Sequence, residues 1–299
     1  MRKIQRKRTD IKQDAEDSKM EQEVLRREAE SETKLSEASR WELLSVNGLK
    51  LLASGMILLN VIAICTAGQV IPNGFRIFGE MTGPLFAFLA AESFYHSSNK
   101  FKLLRRLFFA NTMVGFGFLL LGNYSPYSTE AIMSNNYFGL NFVIGMYAWA
   151  SECLREGMRK QSVKKILIGL LLGIAPLMNL ILFLLAMDRG LDTGSGVALG
   201  FFAMLISVIP SVMTVIGGPH LILLGLLFYL CRKNRRIPLG ILLIVSVLLG
   251  VLGTSILGFA GFAAVPIMLY NGKCGKDWRP IYYVGIPSLC LLIILFTGR

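Results

Sequence analysis

The chain has 299 residues, 54% of them hydrophobic, and a mean hydropathy of +0.56, which excludes an ordinary soluble domain. The net charge is +12, but the first 40 residues carry both signs almost evenly, so the positive excess belongs to the apolar part. This placement is typical of membrane loops, and no nucleic-acid partner is expected. The five cysteines are scattered without a CxxC pair, which argues against structural zinc and against a disulfide framework.

The first segment, 1–45, is charged throughout and lacks the apolar core of a secretory signal peptide. It is expected to form a cytoplasmic arm, either an exposed helix or disordered. Its opening cluster MRKIQRKR is suited to contacts with anionic lipid headgroups. The arm could also bind a protein partner, although its apolar residues are too sparse for a sustained heptad.

The remainder, 46–299, is predicted to be an all-α polytopic membrane bundle, because a bilayer core needs roughly 20 apolar residues per helix. About nine spans are predicted, at 48–71, 77–96, 104–122, 138–154, 164–187, 217–231, two within 237–270 divided near Gly250 or Gly253, and 281–297. The glycine-rich stretch 195–212 is expected to be re-entrant or to lie on the membrane surface.

The basic residues predict the orientation of the bundle. With a cytoplasmic N-terminus, the inner connections hold Lys100, Lys102, Arg105, Arg106, Arg155, Arg159, Lys160, Lys164, Lys165, Arg232, Lys233, Arg235, Arg236, Lys273, Lys276 and Arg279. The outer connections hold only Arg76, Arg189 and Arg299. This positive-inside bias predicts a multi-pass plasma-membrane protein, provided that 195–212 does not cross fully.

The second predicted span carries a candidate acid–base pair. Glu92 lies four residues before His96, so both side chains share one helix face. A carboxylate beside an imidazole raises its basicity and fixes its tautomer, as a general base requires. The alternative is a structural ion pair between Glu92 and Arg105 or Arg106.

Three residues are candidates for substrate binding: Arg76 and Glu80 at the outer end of the second span, and Asn60 in the middle of the first. Arg76 and Glu80 are four residues apart and are expected to form a local ion pair. Asn60 lies within an apolar run of the first span, so its amide is expected to face the bundle interior. For Asn60, a packing role and a site role both remain open.

The loop NGKCGKDWR separates two apolar runs near the C-terminus. Its glycines permit tight turns, while lysines and free backbone N–H groups suit a phosphate. The candidate cofactor-binding residues are Tyr270, Asn271, Lys273 and Lys276. The alternative is a positively charged anchor between two membrane helices. The chain contains no Walker, HExxH or GxSxG motif, and no metal site is expected.

Four stretches together resemble the TraX family of membrane proteins, named for an acetyltransferase that modifies a conjugative pilin subunit. They are LKLLASGMILLNVIA, FRIFGEMTGPLFAFLAAESFYHSSNKFKLLRRLFFA, LLGLLFYLCRKN and YNGKCGKDWRPIYYVGIPSLCLL. In the second stretch, the residues that match the family pattern are Phe75, Arg76, Gly79, Pro84, Phe86, Phe88, Glu92, Phe94, His96, Asn99 and Arg105. The resemblance implies a membrane acyltransferase with acetyl-CoA as donor and a peptide or surface glycan as acceptor.

Two departures bear on activity. The family usually has Asp-His where this chain has Asn60-Val61, and its late histidine falls on Leu289. Only His96, with Glu92, remains for acid–base work. Three functions are therefore open at this point: an acyltransferase with impaired activity, a non-catalytic membrane binding or scaffold protein of the same fold, and a small-molecule transporter.

Overall fold

The computed structural model describes residues 44–65, 73–121, 136–190, 208–252, 257–273, 275–276, 278 and 280–297. Within these ranges the regular structure is helical, which confirms the all-α prediction, and one isolated parallel β-bridge joins Leu44 to Tyr270. The predictions for residues 1–43 of the arm and for 195–207 lie outside the described residues.

Most helices follow the predicted apolar runs closely, but in place of the second span predicted within 237–270 the structure has the 3₁₀ segment Leu257–Ala263 and a five-residue helix. They are α1 (Val46–Cys65), α2 (Arg76–Tyr95), α3 (Lys100–Leu121), α4 (Tyr137–Arg159), α5 (Val163–Gly190), α6 (Gly218–Leu230), α7 (Arg236–Val251), α8 (Ala264–Met268) and α9 (Ile286–Thr297). Short 3₁₀ segments, Asn73–Phe75 and Leu257–Ala263, precede α2 and α8, and a π-helical turn, Ile281–Gly285, precedes α9. Helix α7 ends at Val251, where a break was predicted near Gly250 or Gly253.

Helix α2 is the centre of the bundle. It packs against α1, α4, α6 and the 3₁₀ segment Leu257–Ala263, so most of its side chains from Thr82 to Phe94 are buried. Because neighbours surround it, α2 buries polar as well as apolar side chains, and Thr82 and Glu92 are both inside. A carboxylate in such a position needs partners, and this requirement leads to the candidate site.

One helix of the described residues, α1, is long and apolar enough to cross a bilayer, with 20 residues and a mean hydropathy of 2.0. Half of its apolar window is buried in the protein. Shorter apolar helices of the described residues lie at Gly218–Leu230, Arg236–Val251, Gly258–Met268 and Ile286–Phe296. The number of spans therefore stays a prediction.

Contacts between distant segments bring the basic connections to one end of the bundle. The start of α1 pairs with the loop after α8, Arg235 before α7 reaches Glu92 at the end of α2, and Lys100 at the start of α3 pairs with Glu152 near the end of α4. We call this the basic end. Arg76 begins α2 at the opposite end.

Candidate functional site

A polar cluster at the basic end is built around the Glu92 carboxylate, whose side chain is 11% exposed. Its Oε2 lies 3.3 Å from Nε2 of His96 and accepts a hydrogen bond of 3.3 Å from the Tyr270 hydroxyl. Its Oε1 lies 3.6 Å from a guanidinium nitrogen of Arg235. The cluster thus joins α2, the connection between α6 and α7, and the loop that follows α8.

The predicted pairing of Glu92 with His96 follows from the last turn of α2. The His96 backbone N–H donates to the Glu92 carbonyl at 3.0 Å, which closes the helix and places the imidazole above the carboxylate. The His96 side chain is 60% exposed, whereas Glu92 is buried. An imidazole that meets solvent on one side and a buried carboxylate on the other is arranged as a general acid or base.

Arg235 is the member of the cluster that sequence reasoning missed. Its guanidinium lies 4.7 Å from the ring centre of Tyr270 and 5.8 Å from that of Phe88. The expected alternative partners, Arg105 and Arg106, are exposed on α3. In the sequence, Arg235 belongs to a run of basic residues that indicates only the orientation of the bundle in a membrane. Glu92 lies 143 positions earlier, so no helical spacing predicts their contact.

The aromatic rings of the cluster fix its geometry. Phe88 lies one turn before Glu92 and makes edge contacts with Tyr270 and Phe228, each with ring centres 5.3 Å apart. Such edge-to-face pairs stabilise a defined ring orientation. The Tyr270 hydroxyl is therefore held toward the carboxylate rather than toward solvent, and the residue is 2% exposed.

The loop after α8 is held against the start of α1 by backbone hydrogen bonds. Leu44 N–H donates to the Leu269 carbonyl, Asn271 N–H to the Leu44 carbonyl, and Val46 N–H to the Lys273 carbonyl, each at 2.9 Å. The Lys273 N–H donates to the Asn271 side-chain oxygen at 2.9 Å. The N–H groups of Asn271 and Lys273 are therefore occupied, so the expectation of free backbone donors for a phosphate is wrong at these two residues.

The predicted cofactor residues consequently divide into two sets. Tyr270 belongs to the buried cluster, and Asn271 stabilises the turn that follows it. Lys273 and Lys276 are exposed, and Lys276 Nζ lies 4.8 Å from the ring centre of Trp278. Of the four predicted cofactor-binding residues, only the two lysines present cationic side chains to solvent.

The predicted substrate residues lie at the other end of α2. Asn60 is buried on α1, and its amide is so close to Gly79 that a Cβ there would lie 2.6 Å from it. The expected interior position of Asn60 is therefore confirmed. Glu80 is partly buried and interacts electrostatically with Arg76, one turn earlier.

The two predicted groups are far apart. Arg76 and Glu92 are separated by about 24 Å along α2, at about 1.5 Å per residue. Arg76, Glu80 and Asn60 therefore cannot contact the same reacting atom as His96. The structure brings Glu92, His96 and Tyr270 together and leaves the substrate residues as a separate group.

A second polar network at the basic end was also missed. Glu152 of α4 accepts hydrogen bonds from Lys100 and from the Tyr229 hydroxyl of α6, which ties three helices together. Lys165 pairs with Glu156 across the α4–α5 connection, and this hydrogen bond lowers the pKa of Glu156. Burial lowers the pKa of Lys100. Since its polar atoms are paired with one another, this network is interpreted as structural.

Within the described ranges no group of three or more histidine, cysteine, aspartate or glutamate side chains is placed to hold a metal ion. Comparison of the chain with models of protein families, with curated proteins and with solved structures finds no match. The function therefore has to be inferred from the site itself, an exposed imidazole supported by a buried carboxylate and flanked by cationic side chains.

Proposed function

We propose that the chain is a TraX-like integral membrane acyltransferase that moves an acetyl group from acetyl-CoA to a peptide or surface-glycan acceptor. The observation that carries the proposal is the convergence of Glu92, His96 and Tyr270 at the basic end. These residues come from two of the stretches on which the family resemblance rests. Glu92 and His96 lie together because they are four residues apart on one helix, whereas Tyr270 is brought to them by the tertiary fold.

The chemistry assigned to the cluster is acid–base catalysis of acyl transfer. The acceptor amine or hydroxyl attacks the acetyl carbonyl carbon, a C–N or C–O bond forms, and the thioester C–S bond breaks. His96 takes the acceptor proton and returns it to the departing thiolate. Glu92 stabilises the imidazolium during the transfer, while Arg235 and Tyr270 hold Glu92 in position.

The exposed lysines of the loop after α8 are proposed to bind the phosphates of the donor, acetyl-CoA. Lys273 and Lys276 are positively charged, solvent-exposed and carried by the loop that supplies Tyr270. Lysine binds phosphate as a point charge, and a cluster of cations raises the local concentration of an anionic donor. Binding would depend on side chains, because the backbone donors of Asn271 and Lys273 are already used.

The membrane placement is supported by the exposed apolar side chains. They include Val163 and Leu171 on α5, Ile244, Val247 and Val251 on α7, Leu252 just after α7, and Phe296 on α9. Such an apolar surface is typical of a lipid-facing bundle. The basic end then faces the cytoplasm in a multi-pass plasma-membrane protein, and Arg76, Glu80 and Asn60 would contact a part of the acceptor remote from the reacting atoms.

The test is calorimetric titration of acetyl-CoA into the detergent-purified protein, with Lys273→Ala and His96→Ala in parallel. We expect saturable binding to the wild type, at least fivefold weaker binding to Lys273→Ala, and unchanged binding to His96→Ala. His96→Ala should lose transfer to an acceptor. Absence of binding at millimolar acetyl-CoA, with the protein folded, would contradict the acyltransferase proposal.

A second candidate is a non-catalytic membrane binding or scaffold protein of the same fold. It is favoured by the pairing of Glu92 with Arg235, which gives the carboxylate a structural role, and by Asn60 and Leu289 at positions where the family has acid–base residues. In that case acetyl-CoA would be neither bound nor consumed, and His96→Ala would leave all binding properties unchanged.

A further inference from the structure

An apolar cavity of about 420 Å³ lies beside α2, between walls contributed by α1, α2, α3, α4 and α9. On α2 it is lined by Phe86, Leu89, Ala90 and Ser93, which recur at helical spacing on one face. Glu92 points to a different face of the same helix, where it meets Tyr270 and Arg235. The cavity is therefore distinct from the candidate catalytic cluster.

The cavity is elongated along the bundle axis. Helix α1 lines it from Lys50 to Val61, a length of about 16 Å at about 1.5 Å per residue. Its far end is lined by Val61, Val114 and Gly117. Tyr137 also lines it there, but its hydroxyl donates to the Gly79 carbonyl at 3.4 Å, so the ring provides mainly apolar surface.

Polar groups line the cavity at both ends: toward the far end, next to Tyr137, lies Asn141, whose buried Oδ1 has no hydrogen-bond partner among the described residues, and the other polar groups lie toward the basic end. Lys50, Ser54, Ser93 and Tyr282 all line it there. Lys50 Nζ lies 5.9 Å from the ring centre of Tyr282, whose hydroxyl donates to Asn47 at 3.2 Å. The cavity thus combines a long apolar body with a cation and two serine hydroxyl groups at one end.

We propose that this cavity binds one hydrocarbon chain of an amphiphile with an anionic head group, the chain lying along α1 and the head at Lys50. Each CH₂ group of such a chain is removed from water on entering the apolar cavity, so a long chain is stabilised along its length. The Lys50 cation at the basic end of the cavity favours a carboxylate or phosphate head. The two sources of such a chain are a free fatty acid and a membrane phospholipid.

Gly117 offers a way to block the cavity without disturbing the fold. A Cβ added at this position on α3 meets no atom within 4 Å, so the larger side chain of a Gly117→Phe variant has room to enter the cavity. Gly240 on α7 provides the matched control, because its added Cβ also meets nothing within 4 Å and it does not line the cavity. Both substitutions replace a glycine within a helix by phenylalanine, so their intrinsic effects on the helix are comparable.

The experiment titrates cis-parinaric acid, a fluorescent fatty acid, into the delipidated protein in detergent, with empty micelles as the baseline. We expect one saturable site in the wild type and in Gly240→Phe, and at least tenfold weaker binding in Gly117→Phe. Lys50→Gln should weaken binding of the free acid at least fivefold and leave its methyl ester unchanged. Competition by oleate alone identifies a fatty-acid site, and competition by phosphatidylglycerol identifies a phospholipid chain.

Equal binding by Gly117→Phe and Gly240→Phe, with unchanged melting temperatures, would overturn the proposal. Equal weakening of the acid and its ester by Lys50→Gln would overturn the assignment of the anionic head. The outcome is independent of the proposed acyl transfer, because acetyl-CoA binding is tested through Lys273, which does not line the cavity.

Discussion

At the scale of single residues, the environment of Glu92 decides what the site can do. The carboxylate is buried, and its oxygens contact the Arg235 guanidinium and the Tyr270 hydroxyl. The same partners hold it under the exposed imidazole of His96. A structural and a catalytic role are therefore compatible for Glu92, and measurements of stability and activity separate them.

Substituting Glu92→Gln should lower the free energy of unfolding by about 1–2 kcal/mol, because Arg235 loses its ionic partner and the Tyr270 hydroxyl then donates to a neutral oxygen. Arg235→Met should cost a similar amount. The double variant should lose about 1 kcal/mol less free energy of unfolding than the two single variants added together. The reason is that each side chain stabilises the protein only while the other is present. Chemical unfolding in detergent micelles measures all three.

The control for this cycle is His96→Gln. Its side chain is largely exposed, so its effect on stability should stay within about 0.5 kcal/mol while any acyl transfer is lost. Strict additivity of Glu92→Gln and Arg235→Met would show that the two side chains are not coupled.

At the scale of elements, the junction between α1 and the loop after α8 positions Tyr270. The loop turns through Gly272 and Gly275, whose φ angles are +74° and +69°. Gly275 also lies against Ser45, which immediately precedes α1, and a Cβ added there would collide with the Ser45 side chain. This junction therefore requires a glycine both for conformation and for space.

Replacing Gly275→Ala should lower the free energy of unfolding by about 1–3 kcal/mol, because the alanine is strained at positive φ and its Cβ collides with Ser45. Gly55→Ala is the matched control. It lies inside α1 with nothing within 4 Å of its added Cβ, so it should be neutral or stabilising by roughly 0.5–1 kcal/mol. Thermal unfolding followed by circular dichroism compares the two; equal melting temperatures would contradict the proposed junction.

At the scale of the whole molecule, the basic segments share one end of the bundle although they are scattered along the chain. Contacts at Leu44, Glu92, Lys100, Arg235 and Tyr270 establish this grouping. Which side of a membrane this end faces is a proposal based on the positive-inside rule. Lysine and arginine cross a bilayer poorly, so one topology is strongly favoured.

The topology can be measured by labelling single cysteines in a variant that lacks the five native ones. Gly74 and Lys273 are both exposed, and they lie at opposite ends of the bundle. A membrane-impermeant maleimide should label Gly74→Cys in intact cells and Lys273→Cys only after permeabilisation. Labelling in the reverse order would place the basic end outside and contradict the proposed orientation.

The helices and the Glu92–His96 pair were predictable from the sequence because both depend on local properties. Apolar runs specify helices wherever they occur, and residues four apart share a helix face whatever surrounds them. The predicted helical segments consequently match α1 to α7 to within a few residues at most ends. The break after Val251 likewise follows glycines visible in the sequence.

Only the tertiary structure decided which distant residues meet. Arg235 and Tyr270 reach Glu92 because α6, α7 and α8 pack around α2, and no spacing rule encodes a contact between segments so far apart. The same packing keeps Arg76 far from His96. It pairs the backbone of the loop after α8 with the segment at the start of α1, and it leaves the cavity beside α2. The sequence by itself determined which segments are helical and which connections carry positive charge, because these are properties of short stretches. The site and the cavity arise from helix packing, which depends on the whole chain at once.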